Sequence, residues 1–139
     1  MKLSLETRSA NIIHSYEVGA VTIQQNQRQS GTEVDTDANP QQLLKITGSL
    51  IITPELLIQD WLKEALSLSK HDMQRVIEIQ PEVILLGTGE TMKFPNNEIM
   101  QLCYQEKIGI EVMNTAAACR TYNVLAAERR KVAAALMVV

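Results

Sequence analysis

The sequence predicts an α/β domain of three layers, in which a mixed central sheet has helices on both faces and an N-terminal β-hairpin is added. The C-terminal half alternates apolar runs with helical segments, and its runs "VILLG" and "VAAALMVV" are continuous, as in strands covered on both faces. The N-terminal segment instead alternates apolar and polar residues around Gly19. Because 139 residues with 45% hydrophobic content suit one core, residues 1–139 are expected to form a single domain.

The N-terminal elements come first. The stretch "NIIHSYEVGAVTIQ" predicts two hairpin strands, roughly Asn11 to Glu17 and Ala20 to Gln24. The segment 25–42 is rich in Gln, Asn, Asp and Ser, which predicts a mobile surface loop. Strands return over 43–53, where Gly48 interrupts the pattern as a bulge or turn would. These strands and the hairpin are expected to extend or cap the central sheet.

Helix signals mark the middle of the chain. Thr53 and Pro54 fit the N-cap and first helical position of a helix over "TPELLIQDWLKEAL", with Trp61 packing inward. The piece "MQRVIEI" predicts a second short helix that ends before Pro81.

From Glu82 onward the chain follows a regular βαβαβ order. The predicted elements are the strand "VILLG", the helix "NNEIMQLCYQEK", the strand "IGIEVMN", the helix "TAAACRTYNVLAAERR" and the strand "VAAALMVV".

Composition narrows the classes of function. The net charge is −3, and the one dense basic cluster is Arg129 to Lys131, so no basic surface for nucleic acid is predicted. The longest apolar run has eight residues, against about 20 for a membrane-spanning helix, so no span is predicted. Cys103 and Cys119 form no C-x-x-C, and the first sixteen residues contain no apolar h-region. We therefore expect a reduced cytoplasmic setting.

The turn after "VILLG" is the first candidate site. Gly87, Thr88 and Gly89 follow an apolar strand, where α/β sheets place their ligand crevices. The dinucleotide fingerprint is incomplete, because Met92 occupies the place of its third glycine, and no G-K-[ST] follows. Two interpretations remain: a tight turn, which we favour, or a cradle for an anion or small ligand.

The helix that begins near Asn114 or Thr115 is the second candidate site. Its free N–H groups would attract an anion held over the Gly-Thr-Gly turn, and the hydroxyls of Thr88 and Thr115 could add donors. The same "TAAAC" also suits a helix that simply packs closely on a sheet. Tyr122 and Asn123 could line the crevice or satisfy buried backbone groups.

Metal and nucleophile chemistry is not expected. His14 and His71 form no zinc motif, and "DTDANP" lacks the glycine and final glutamate of a calcium loop. Cys119 is interpreted as a buried core thiol. Glu111, Glu128 and Arg130 could serve acid and base chemistry, but Glu128 beside Arg130 is better interpreted as a structural ion pair. No cofactor and no metal are predicted.

Three stretches resemble a known family. "ILLGTGE", "GIEVMNTAAACRTYNVLAAERRKVAAAL" and "GSLIITPELLIQDW" are similar to the Mth-type α/β domain family of mostly uncharacterised proteins, whose mitochondrial relatives include a respiratory complex I assembly factor. The resemblance covers about Ile12 to Leu136. It implies a three-layer fold around a mixed sheet with one antiparallel strand, and no established catalytic residues. It also implies a recurrent set of positions: Gly87, Thr88, Gly89, Met113, Thr115, Ala118, Thr121, Tyr122, Asn123, Glu128 and Arg130.

One departure from the family pattern is informative. The family has Glu-Gly-Arg where this chain has Glu128, Arg129 and Arg130, so Arg129 is expected either to adopt a positive φ or to extend the helix.

Two classes of function follow. The resemblance implies a non-catalytic interaction protein, an assembly factor or chaperone for a respiratory membrane complex, with a protein partner, at the cytoplasmic face of the inner membrane. The alternative is a ligand-binding protein or enzyme that uses the crevice between the Gly-Thr-Gly turn and the following helix to hold a small anion. We favour the first.

Overall fold

The protein folds into two β-sheets and three helices in the part of the chain that the computed structural model describes, residues 10–25, 43–64 and 67–139. The predicted fold class is confirmed. Strands β1, β2 and β3 form a small antiparallel sheet, and β4 to β8 form a mixed sheet. The elements in chain order are β1 (Ile12–Glu17), β2 (Ala20–Gln24), β3 (Leu43–Ile46), β4 (Leu50–Ile52), β5 (Leu57–Gln59), α1 (Lys70–Ile77), β6 (Val83–Gly87), α2 (Asn97–Gln105), β7 (Gly109–Met113), α3 (Thr115–Ala127) and β8 (Val132–Leu136).

The large sheet has the strand order β5-β4-β8-β6-β7. Strand β6 runs parallel to β7 and β8, while β4 is antiparallel to both β8 and β5. The chain steps outward from β6 to β7 and then back past β6 to β8. Because βαβ crossovers are right-handed, steps in opposite directions place α2 and α3 on opposite faces of the sheet.

Alternate residues of the buried strands pack into two apolar clusters, one on each face of the large sheet, where the sequence suggested one core. Ile84 and Leu86 of β6 pack on the face that α1 and α2 cover, in the core that contains Trp61. Val83 and Leu85 point to the other face, in the core with Tyr122. A strand that is apolar at every position can supply both cores, which explains the continuous apolar runs of β6 and β8.

The small sheet lies on the α3 face of the large one. Val21, Ile23 and Ile46 of this sheet belong to the core that α3 shares with the large sheet. The predicted hairpin is confirmed, with Gly19 in its turn at φ 85°. The predicted interruption at Gly48 separates β3, in the small sheet, from β4, in the large one.

The helix predicted from Thr53 is wrong. The hydroxyl of Thr53 does accept hydrogen bonds from the N–H groups of Glu55 and Leu56, but these close a turn rather than start a helix. The chain then returns as β5, antiparallel to β4. Pairing with β4, a tertiary contact, outweighs local helix propensity here. Trp61 is fully buried, as predicted.

The remaining helices and strands lie where the sequence predicts them. Helix α1 begins after Ser69, whose hydroxyl accepts a hydrogen bond from the N–H of Asp72, while the carboxylate of Asp72 accepts one from the N–H of Ser69. The polar loop predicted over 25–42 lies outside the described residues, apart from Gln25. Within the described part of the chain, none of the helices combines the length and the apolarity that crossing a membrane requires.

Candidate functional site

The turn at the end of β6 is closed by contact with α3. A Cβ atom at Gly87 would lie 2.9 Å from Leu136 Cδ2 and 3.1 Å from Thr115 Cα. Gly89 has a φ of 98°, a backbone conformation that residues with a side chain rarely adopt. Both glycines are therefore explained by the close approach of α3 and by the direction of the turn.

Thr115 joins the turn, α3 and the end of β8. Its hydroxyl accepts a hydrogen bond from the N–H of Gly89 at 2.8 Å and donates one to the carbonyl of Met137 at 2.8 Å. Its N–H donates to the carbonyl of Gly89 at 2.9 Å. The side chain is fully buried, and its hydroxyl already makes both of these hydrogen bonds within the fold.

Thr88 organises the loop that follows. Its hydroxyl donates to the carbonyl of Thr91 at 2.7 Å and accepts from the N–H of Lys93 at 3.0 Å. Its own N–H donates to the carbonyl of Met113 at the end of β7. The buried side chain of Thr88 thus binds the loop backbone on both sides of Met92.

The N-terminus of α3 is capped by the chain itself. The side chain of Asn114 accepts a hydrogen bond from the N–H of Ala117 at 2.8 Å. Together with the bond from the N–H of Thr115 to Gly89, this occupies two of the donors that an anion would need. A ligand in this crevice would have to replace contacts that the chain already makes.

Tyr122 and Asn123 bind α3 to the first strand. The Tyr122 hydroxyl donates to the carbonyl of Asn11 at 2.8 Å, and burial raises the pKa of Tyr122 above its ordinary value. The Asn123 amide donates to the carbonyl of Ile13 at 2.8 Å and accepts from its N–H at 2.9 Å. Of the two predicted roles, the geometry supports satisfaction of backbone groups.

The other positions of the family set are spread over α3 and its ends. Ala118 is buried, Met113 and Thr121 are half-buried, and Glu128 and Arg130 are exposed. Since α3 has 13 residues, its two ends are about 20 Å apart. The structure therefore brings together Gly87, Thr88, Gly89, Met113 and Thr115, and leaves Glu128 and Arg130 at the opposite end of the helix.

The predicted ion pair between Glu128 and Arg130 is wrong, because Arg130 pairs with a different glutamate. Arg130 Nε donates to Glu82 Oε1 at 2.6 Å, joining the end of α3 to the start of β6. Glu82 precedes β6 and is far from Arg130 in sequence, so local spacing did not reveal it. Both side chains are about half exposed, which makes this pair a weak contribution to stability.

Neither cysteine is placed for nucleophilic chemistry. Both are free and buried, and burial raises the pKa of the Cys119 thiol to about 12. The interpretation of Cys119 as a buried core thiol is confirmed. Among the described residues, no group of three His, Cys, Asp or Glu side chains could hold a metal ion.

Among the exposed apolar side chains of the described residues, two in the loop after β6 were missed by the sequence interpretation. Met92 and Phe94, in the loop that Thr88 holds, are 49% and 69% exposed. Phe94 is the one phenylalanine of the chain and stands in the polar stretch "GETMKFPNNE", a signal that could have drawn attention to it. A cavity of about 450 Å³ lies elsewhere, against Ile77, Pro81 and Ile108, and includes no residue of the predicted crevice.

Comparisons with known proteins place the chain in a family. A profile of the family described as "Protein of unknown function (DUF498/DUF598)" matches residues 13–137. The chain is 34% identical over 83 residues to a "13 kDa major membrane protein" of Francisella tularensis, covering 60% of this chain and 68% of that protein. It is 29% identical over 96 residues to the NADH dehydrogenase 1 alpha subcomplex assembly factor 3 of Xenopus tropicalis, covering 67% and 52% respectively. The chain thus spans about half the length of that assembly factor.

Solved structures show the same fold. A protein from Bordetella parapertussis has a TM-score of 0.74 at 25% identity, over 94% of this chain and 98% of its own. A Bordetella pertussis protein described as a Mth938-like domain has a TM-score of 0.68 at 21% identity, over 91% and 85%. The fold is thus that of the Mth938-like domain. On the profile match over nearly its whole length, the chain belongs to the family described as DUF498/DUF598.

Proposed function

We propose that this protein works by binding other proteins, as an assembly factor or chaperone for a respiratory membrane complex, at the cytoplasmic face of the membrane. Its distant relatives named as NADH dehydrogenase assembly factors support this role. The name of the Francisella relative, a membrane protein, supports a location at a membrane.

The observation that carries the proposal is the loop between β6 and α2. Met92 and Phe94 are exposed there, although the hydroxyl of Thr88 fixes the loop through Thr91 and Lys93. Exposed apolar side chains in a loop whose backbone is hydrogen-bonded to a buried side chain favour docking of a partner, because these bonds reduce the conformational freedom that is lost on binding. The inward polar groups of Thr115, Tyr122 and Asn123 are meanwhile engaged in the fold.

The test replaces the gene in the native cell by parent and variant forms. The parent should copurify with respiratory-complex subunits and restore assembled NADH dehydrogenase on native gels. The double variant Met92→Ser with Phe94→Ser should do neither, while retaining the parent's melting temperature. Tyr104→Ser is the matched control, because Tyr104 is 57% exposed on α2, outside this loop. Normal assembly of the complex in the deletion strain would overturn the proposal.

A further inference from the structure

Among the residues that the structure describes, strand β7 is an open edge of the large sheet. The strand order ends at β7, which pairs with β6 and with no other strand of residues 10–25, 43–64 and 67–139. An unpaired strand presents a row of backbone donors and acceptors that another extended chain can match.

The hydrogen bonds at the two ends of β7 show which residues face outward. The N–H of Gly109 donates to the carbonyl of Glu82, and the carbonyl of Met113 accepts from the N–H of Thr88. In a parallel pair, alternate residues bond to the same neighbour, so Glu111 also bonds toward β6. The backbone groups of Ile110 and Val112 therefore point away from the sheet, and no hydrogen bond joins them to another element in the described part of the chain.

The side chains of β7 define what could pair with it. Register places Ile110 and Val112 beside Ile84 and Leu86, on the face that α1 and α2 cover, and both are half-buried. Glu111 lies on the other face, is exposed, and takes part in no ion pair among the described residues. The edge thus combines two apolar positions with one unpaired negative charge between them.

A second copy of the chain fits this edge poorly. Antiparallel pairing of two β7 strands that uses both outward residues of each copy sets Ile110 opposite Val112. The same register places Glu111 directly opposite its own copy, and like charges at such a cross-strand position are destabilising. Glu111 therefore acts against self-pairing and favours a strand with a positive charge at the matching position.

We infer that β7 binds an extended segment of a partner polypeptide by strand addition, with a lysine or arginine of the partner opposite Glu111 and apolar residues on either side of it. This inference rests on the proposed function, since it states the chemistry of the partner. The exposed loop with Met92 and Phe94 is continuous with this edge, because Thr88, which fixes the loop, is hydrogen-bonded to Met113 at the end of β7.

The test uses two blocked peptides, Thr-Val-Lys-Val-Thr and Thr-Val-Glu-Val-Thr, added to the ¹⁵N-labelled protein. The lysine peptide should shift the amide signals of Ile110 and Val112 and slow their hydrogen exchange. The glutamate peptide should bind more weakly by roughly two- to fivefold, the effect of one cross-strand charge pair. Glu111→Lys should reverse the order of the two peptides.

Backbone participation is tested by a proline. Ile110→Pro removes an outward N–H without removing a bond to β6, so it should weaken both peptides, whereas Ile110→Val should weaken neither. If Ile110→Pro does not fold, the reversal by Glu111→Lys still decides the question.

Three outcomes would overturn the inference. The first is equal binding of the two peptides. The second is unchanged amide signals of Ile110 and Val112 at the highest soluble peptide concentration. The third is hydrogen exchange at these amides that slows as protein concentration rises without peptide, which would make β7 a contact between copies. None of these depends on whether a respiratory complex is the partner, so the two proposals fail separately.

Discussion

Asn123 and Ile13 are joined like neighbouring residues of a sheet, although one is a side chain on a helix. The amide of Asn123 donates to the carbonyl of Ile13 at 2.8 Å and accepts from its N–H at 2.9 Å, across 110 positions of sequence. The side chain thus takes the place of a further strand along β1. Its contribution to stability can be measured.

Asn123→Asp should destabilise the fold by about 1 to 3 kcal/mol, because the carboxylate cannot donate to the carbonyl of Ile13. Urea unfolding measures the change. The matched control is Asn97→Asp, at an exposed position in the first turn of α2, where a negative charge is tolerated. Equal midpoints for the two variants would show that the pairing contributes nothing.

Gly87→Ala should destabilise the fold by about 1 to 3 kcal/mol, since the new methyl group would lie 2.9 Å from Leu136 Cδ2 and 3.1 Å from Thr115 Cα. Gly109→Ala is the control at a strand end, where the nearest atoms are 3.7 and 3.9 Å away. Thermal melts should separate the two variants. If the two variants have the same melting temperature, the approach of α3 to β6 is not tight.

Arg129→Gly should be neutral or stabilising by up to about 1 kcal/mol. Arg129 has a φ of 63°, confirming one of its two predicted conformations, and it ends α3 with hydrogen bonds from its own N–H to Ala126 and from that of Arg130 to Leu125. Arg120→Gly, the same change at an exposed position inside α3, should instead cost about 1 kcal/mol. Chemical denaturation compares them, and a large loss in Arg129→Gly would refute the argument.

Alkaline pH should weaken the fold through Cys119. Burial raises the pKa of this thiol from 9.0 to about 12, so above pH 9 the unfolded chain loses a proton that the folded chain keeps. Stability therefore falls as pH rises from 9 toward 12. Cys119→Ala should reduce this slope, measured as the free energy of unfolding against pH. An unchanged slope would mean that the folded thiol ionises normally.

The anion cradle remains a prediction and has its own test. Thr115→Val should cost about 1 to 3 kcal/mol, because it removes the hydroxyl that binds both Gly89 and Met137. A thermal-shift screen with phosphates, nucleotides and carboxylates then compares the parent with Thr88→Val and Thr115→Val. A ligand that stabilises the parent but neither variant would support the cradle. A screen without any stabilising ligand would count against it.

Much of the fold could be predicted from local signals. Asn114 caps α3, and the continuous apolar runs of β6 and β8 correctly indicate strands buried on both faces. Thr53 shows the limit, because its hydroxyl makes the hydrogen bonds of a helix start and yet closes a turn. Only the pairing of β5 with β4, a tertiary contact, decides between the two.

The candidate site was less predictable. The sequence shows that Tyr122 and Asn123 carry polar groups, but their partners, Asn11 and Ile13, lie more than 100 positions away. Likewise, Arg130 has a glutamate two residues before it, yet it pairs with Glu82, 48 positions away. A single sequence gives no means of choosing among such distant partners.

The place of β8 in the large sheet has a consequence for synthesis on the ribosome. Strand β8 follows all the other described elements along the chain, yet it lies in the middle of the sheet, between β4 and β6. Until β8 has left the exit tunnel, the β4–β5 pair and the β6–β7 pair have no strand to join them. During synthesis, the edges of β4 and β6 therefore stay unpaired until β8 is available. The large sheet is completed only after translation of β8, and its two halves cannot join before then.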